Sequence, residues 1–429
     1  MGNGFTAPEN VSLCVASTFL HSLVRPRPEK QSPMSLLDLW KNSPDQLKGK
    51  QVQQLVAIAG DGKLTDGSSC SAELRDLLAT VPSESLAAYA EQCLTQGFTD
   101  SGFVLQNIVN EVGARLGATS SRGRYRGTTK HVGFDGLWVF PSNHAIVVEV
   151  KTTDAYRIDL NTIAGYRNNL IASNSVTEAN SSMLLVVGRQ DTGDLEAQIR
   201  GSRFAWDIRI ISVLALLRLM AIKEEVEDPA IVKRIHSILI PREFTRLDAI
   251  ADIIFSAAEE IKREEAPIEV DDDDEAALVR SEGSKFKPVA FHEACVQRVQ
   301  GKLGVSLVKR SRSGYSSPDK LVALNCSVSK EHDAATQPNY WFAFHPHQQE
   351  FLREHPRSYV AFGCGSSERL VVIPFSEFEP WLEASWTTVK GERSYWHVVI
   401  YRKGEKYTLR RRKGESAIDL TPYVLPEEV

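Results

Sequence analysis

The chain has 429 residues, 42% of them hydrophobic, and a formal net charge of −5, enough apolar content for real cores in two to three domains. Its six cysteines, at 14, 70, 93, 295, 326 and 364, form no CxxC pair and no zinc spacing with histidine, which argues against a disulfide framework. No apolar run reaches the ~18 residues of a membrane span, and Pro and Arg punctuate the N-terminus where a signal core would lie, so a reduced cytoplasmic protein is expected.

In chain order, Met34–Trp40, Gln51–Ala59, Cys70–Ala79 and Ser83–Leu94 are amphipathic stretches split by Pro and by a Gly-Asp-Gly turn, which predicts a helical domain over residues 1–100. Ala59-Gly60-Asp61-Gly62-Lys63 lacks the spacing of a phosphate loop and reads as a turn. Phe103–Leu116 repeats apolar residues at helical spacing, with Val104, Ile108, Val112 and Leu116 on one stripe, and carries Glu111. Arg122, Arg124, Arg126 and Lys130 follow, interleaved with Gly123, Tyr125 and Gly127. This basic loop suits a phosphate backbone, with Tyr125 available to stack on a base.

The stretch His131–Thr152 reads as a hairpin: Leu137–Phe140 is apolar, Pro141-Ser142-Asn143 is turn chemistry, and His144–Val150 is a β-branched run. Strand alternation puts Glu149 and Lys151 on one face and Val148 and Val150 on the other. Asp135 enters at the head of the preceding strand, beside Glu149. Two carboxylates so close repel unless a cation lies between them, and oxygen ligands favour Mg²⁺, or Mn²⁺. The Val150 carbonyl can add a third oxygen, while Lys151 can orient an attacking water or neutralise a phosphate. A structural carboxylate–lysine pair is the alternative reading of the same residues.

In their order and spacing, Asp135, Glu149 and Lys151 resemble the PD-(D/E)XK nuclease superfamily over roughly residues 101–220. One departure is Phe134, where that family has proline. The resemblance implies an α/β fold, a mixed sheet flanked by helices in a restriction-endonuclease-like core. It also implies metal binding by Asp135 and Glu149, and it makes Glu111 a candidate further ligand from the preceding helix.

Beyond the hairpin, Asp159–Ile171 predicts a helix, Met183–Gly188 a buried strand, Asp194–Trp206 a helix, Ile208–Val213 a strand and Leu214–Ala221 a last helix of a nuclease domain over 101–222. Arg157, Tyr166 and Arg167 follow the hairpin closely enough to hold a phosphate. Residues 223–284 contribute two helices, Ala230–Leu239 and Leu247–Arg263, and then an acidic linker over Glu264–Ser284. From 285 to 429 a helix, Phe291–Leu303, precedes short aromatic and β-branched runs, which predict a C-terminal mainly β domain, a barrel or a strongly curved sheet. Its tryptophans read first as core. Two basic segments, Lys309, Arg310 and Arg312, then Arg410, Arg411 and Arg412, suit target recognition.

These features lead to a Mg²⁺-dependent DNA endonuclease of restriction or phage-defence type, acting as a homodimer if it cuts both strands. Three alternatives remain open: a non-catalytic nucleic-acid-binding protein on the same scaffold, an RNA-cleaving enzyme, and a ligand-gated effector nuclease.

Overall fold

Hydroxyl and carboxylate caps start many of the helices. Ser35, Ser68, Asp159, Ser212 and Asp228 each accept a backbone N–H from the first turn that follows. The computed structural model describes residues 34–47, 49–125, 133–152, 158–188, 192–241, 288–333, 337–390, 393–412 and 414–426. Helices α1 (Leu36–Asn42), α2 (Val52–Ile58), α3 (Ser69–Thr80) and α4 (Ser83–Thr95) lead into α5 (Ser101–Arg115). The expected N-terminal helices are therefore present. They do not build a core of their own: Leu36, Leu55, Leu74, Leu77 and Leu86 share one apolar cluster with Val104 and Ile108 of α5 and with Trp138, Ile146 and Val148 of the sheet beneath it.

That sheet has five strands in sequence order, β1 (Thr119–Arg122), β2 (Gly136–Val139), β3 (Ala145–Lys151), β4 (Ser181–Val187) and β5 (Ile208–Ser212). The first three form an antiparallel meander; β3, β4 and β5 are parallel, linked through α6 (Leu160–Ala172) and α7 (Gly193–Arg200). Helix α5 covers one face. On the other, Ala145, Val147, Met183 and Leu185 pack with Ile163, Leu195 and Ile199 of α6 and α7. The architecture is thus mixed α/β, with a mixed sheet between helices, as expected. The β2–β3 turn is the predicted one, with Asn143 at φ 61° and Phe140 N–H bonded to the His144 carbonyl.

Two local expectations change. Helix α7 stops at Arg200, six residues before Trp206, because the chain turns at Gly201 and Ser202. Arg122, the first residue of the expected basic loop, instead ends strand β1, whose Thr-Ser-Ser-Arg sequence carries no apolar alternation; pairing with β2 makes it a strand. Gly123 just beyond is required there, since a Cβ would lie 1.6 Å from the Phe134 carbonyl oxygen.

Helices α8 (Val213–Glu224) and α9 (Pro229–Ile238) complete the first half. The end of α8 and the residues that follow it grip the second half of the chain. Buried Glu227 accepts hydrogen bonds from Ser313 N–H (2.7 Å), the Ser313 hydroxyl and Gln348 Nε2 (2.9 Å), and pairs with His347. Lys223 Nζ donates to the Arg310 carbonyl at 2.6 Å, and Lys309 pairs with Glu225. The helix expected over Leu247–Arg263 and the acidic run Glu264–Ser284 lie outside the described residues.

The C-terminal half starts with a helix, Pro288–Leu303. Strands β6 (Val308–Lys309), β7 (Gly314–Ser316), β8 (Val322–Ser329), β9 (His332–Asp333) and β10 (Pro338–Phe344) follow. After a short helix, Pro346–Arg353, come β11 (Arg357–Cys364), β12 (Leu370–Pro374), β13 (Thr387–Lys390), β14 (Arg393–Lys403), β15 (Lys406–Arg410) and β16 (Ile418–Asp419). The expected barrel or single curved sheet is replaced by two sheets. One runs β12-β11-β8-β7-β6, with β8 and β11 parallel; the other runs β16-β15-β14-β10-β9, with β13 also on β14. Tyr340, Phe342 and Phe344 of one meet Phe362, Val371 and Ile373 of the other, and the first sheet's far side packs on Cys295 and Val299 of the 288–303 helix. Among the described residues no helix is long and apolar enough to cross a membrane.

Candidate active site

Strand β2 begins at Gly136, opposite Val148, so the last residues of β3 run on past it. Asp135 fills that gap. Its N–H continues the ladder to the Val148 carbonyl (3.1 Å), and its carboxylate Oδ2 accepts the Val150 N–H at 2.7 Å, where a strand partner would otherwise bond. A strand residue's N–H and C=O point to the same side, so the Val150 carbonyl projects toward the same edge. From α5, Gln106 Nε2 donates to Asp135 Oδ1 (2.9 Å) and to its carbonyl (3.2 Å), and Asn110 Nδ2 donates to that carbonyl at 2.9 Å. Asn110 Oδ1 in turn accepts from Trp138 Nε1 and Ser120 Oγ. Gly136 leaves room for it: a Cβ there would meet Asn110 Oδ1 at 2.1 Å.

Glu149 and Lys151 share a face of β3, as alternation predicts, and Lys151 Nζ donates to Glu149 Oε1 at 2.6 Å. Glu149 is only 7% exposed, and its Oε2 is buried with no hydrogen-bond partner. Burial, and then the neighbouring Glu149 charge, push the Asp135 carboxyl up to about 7, against the opposing pull of the Val150 N–H and Lys151. Burial works against the Lys151 charge, but the hydrogen bond and charge of Glu149 outweigh it and hold the ammonium above its ordinary value. Tyr166 on α6 feels the same group: burial, then Glu149, raise its phenol.

A buried carboxylate, Glu149, and a half-buried one, Asp135, thus share a single ammonium, with one oxygen left over. That is a deficit of positive charge in a site made of oxygen atoms, and a divalent cation fits it. Among the described residues no three His, Cys, Asp or Glu side chains converge, so Asp135, Glu149, the Val150 carbonyl and water would supply the ligands. Mg²⁺ commonly accepts so sparse a protein contribution.

Glu111 is not among them. It pairs with Arg115 (3.2 Å), both buried, and lines a separate cavity of about 520 Å³ with Arg75, Asp76, Arg122 and Asp319. The helical period explains the correction. Gln106 and Asn110, one turn apart, face Asp135, and Glu111, the residue after Asn110, is turned toward Arg115. Gln106 and Asn110 were missed in the sequence, where nothing separates them from other polar residues of the helix, Asn107, Glu111 and Arg115.

The predicted nucleic-acid contacts divide. Arg124 is exposed and follows Gly123, whose N–H donates to the Asp135 carbonyl, whereas Tyr125 is docked on α5, its ring 4.9 Å from Phe103 and its hydroxyl bonded to Asn107. Arg167 is buried and structural, bonded to Ser181, the Glu178 carbonyl and Asp207. Lys309 and Arg310 belong to the contact with the α8–α9 segment, and Arg312 is half-buried in the same turn. Arg411 and Arg412 tie their loop to Ser416 and to the Glu383 carbonyl. Arg410 alone of its segment lies over aromatic rings, Trp386 and Tyr401. Arg126, Lys130 and Arg157 lie outside the described residues. No protein-family model matches the chain, and a search of curated proteins finds no match.

Proposed function

We propose that the protein is a metal-dependent endonuclease hydrolysing phosphodiester bonds of DNA, of restriction or phage-defence type, with its C-terminal half serving target recognition. The observation that carries this reading is the convergence of Asp135, Glu149 and Lys151 at the open end of the β2–β3 hairpin, with a buried carboxylate oxygen unpartnered. The succession α5-β1-β2-β3-α6-β4 around it supports a restriction-endonuclease-like core.

Asp135 and Glu149 would hold Mg²⁺ or Mn²⁺, which when bound stabilises charge on the scissile phosphate and acidifies a bound water. Gln106 and the Val150 N–H fix the Asp135 carboxylate, so it needs no reorganisation on binding. Lys151, bonded to Glu149 and 36% exposed at its side chain, stands where it can orient the attacking water or meet the phosphate. Tyr166 lies within the same electrostatic field and can donate to a phosphate oxygen. The short Lys151–Glu149 bond also suits the competing reading, a binding protein that keeps the pair for structure alone.

Plasmid DNA, single-stranded DNA and RNA incubated with Mg²⁺, Mn²⁺ or EDTA separate the two. Metal-dependent cutting that Asp135→Ala and Lys151→Ala abolish while sparing binding is expected. Full activity in both variants would remove the site. Cutting of RNA alone would change the polymer and keep the chemistry. Cleavage of both duplex strands in one event calls for a homodimer, which light scattering measures.

A further inference from the structure

The six-stranded sheet carries rings that its core does not use. Alternation sends Tyr340, Phe342, Phe344, Val398 and Ile400 inward, and puts Trp341, Tyr395, His397, Val399 and Tyr401 on the opposite face. Trp381 and Trp396 pack against the core, but Trp341, Trp386 and Tyr395 remain outside it and half-buried. The Trp341 ring meets His397 at 5.7 Å and Tyr395 at 6.2 Å, both edge to face. Its indole N–H donates to His397 Nδ1 (3.0 Å), and His397 Nε2 lies 2.6 Å from Thr388 Oγ1. An indole can only donate, so His397 accepts at Nδ1, carries its proton on Nε2 and donates to Thr388. Neighbours in the sheet thus hold both rings at set angles.

Cations flank this platform. The Arg410 guanidinium lies 5.6 Å from the Trp386 ring and 5.9 Å from that of Tyr401, whose hydroxyl it also reaches. Lys403 and Lys406, opposite each other at the β14–β15 turn, are exposed on the same side, where Asp419 partners Lys406 at 3.9 Å.

We infer that this face binds a single-stranded stretch of nucleic acid, with bases stacked on the Trp341, Tyr395 and His397 rings and the backbone passing Arg410, Lys403 and Lys406. The polar atoms of Trp341 and His397 are already engaged, so these rings offer π-faces rather than a hydrogen-bond code, which favours unpaired bases with little sequence preference. A duplex keeps those base faces inside its own stack. The cationic edge matches a phosphate backbone. The choice of nucleic acid over other aromatic ligands rests on the phosphodiesterase reading of the β2–β3 site.

Fluorescence anisotropy of the full chain in EDTA, where no cleavage takes place, tests this with labelled single-stranded DNA, single-stranded RNA and duplex DNA. At least one single strand should bind more tightly than duplex, and the two single-stranded arms identify the polymer. Trp341→Ala should weaken that binding about tenfold or more. Trp341→Phe, which keeps a ring, should retain most of it, and Arg410→Ala should lower the salt slope by about one. Single-strand affinity untouched by Trp341→Ala, equal loss in the Phe and Ala variants, or tighter binding of duplex would overturn the inference. Trp341-dependent binding by a protein that cuts nothing would refute only the nuclease reading, and cleavage with Trp341-independent binding only this one.

Discussion

Replacing Asp135 with Asn should stabilise the metal-free protein, and by more as the pH rises. Burial and Glu149 push this carboxyl from 3.8 to about 7. A group whose folded-state value exceeds its unfolded one binds more protons when folded, so stability falls as pH climbs from the lower value to the higher. Roughly three pH units at about 1.36 kcal/mol each put the full cost of the ionised carboxylate near ~4 kcal/mol above pH 7. The neutral amide has the shape of the protonated carboxyl and escapes this cost, while it leaves the same one of the two donors, Gln106 Nε2 or Val150 N–H, without an acceptor. The difference between variant and wild type should therefore widen by about 1.4 kcal/mol per pH unit between pH 4 and 7 and then level off. Urea unfolding in EDTA, followed by tryptophan fluorescence across that range, measures it. Saturating Mn²⁺ should reverse the order, because the wild-type carboxylate gains a ligand that the amide binds poorly. A pH-independent difference, or a variant less stable than wild type at pH 8 without metal, would refute the reasoning.

The apparent affinity for Mn²⁺ should itself drop about tenfold per pH unit below 7, since binding displaces the Asp135 proton; calorimetry at pH 6 and 8 decides, and equal affinities would exclude this carboxylate as a ligand. Glu227→Ala leaves Ser313 and Gln348 donors buried without their acceptor and should cost about 3–5 kcal/mol in denaturant unfolding. Burial alone would raise Glu227, but His347 and Ser313 bring it down to about 2, so its contribution is complete above pH 4.5 and lost as pH falls toward 2. Acid unfolding curves of wild type and variant should converge over that window, and parallel curves would show that Glu227 is not the titrating group. Gly136→Ala drives a Cβ against Asn110, which Trp138 and Ser120 hold in place, and should lower stability by about 1–3 kcal/mol; an unchanged unfolding midpoint would mean that Asn110 yields.

The hairpin is legible in the sequence because its determinants are local: a β-branched run, Pro-Ser-Asn turn chemistry, and the period of two that puts Lys151 beside Glu149. The helices up to α6, and α8 and α9, follow from apolar spacing within a few turns. Strand β1 does not, because its Thr and Ser residues acquire their state from β2. Charge is the least legible feature. Arg167, Arg310 and Arg410 look alike along the chain, yet one is buried on Ser181, one lies at a contact between distant segments and one rests on half-buried rings. By itself, then, the sequence determined most of the helices and the β2–β3 hairpin that carries the candidate residues Asp135, Glu149 and Lys151, because these depend on local patterns. Only the tertiary structure decided that Gln106 and not Glu111 reaches Asp135, that the N-terminal helices share the core beneath α5, and that Trp341 lies outside any core. Those outcomes depend on burial and on partners tens of residues away, which no local pattern encodes.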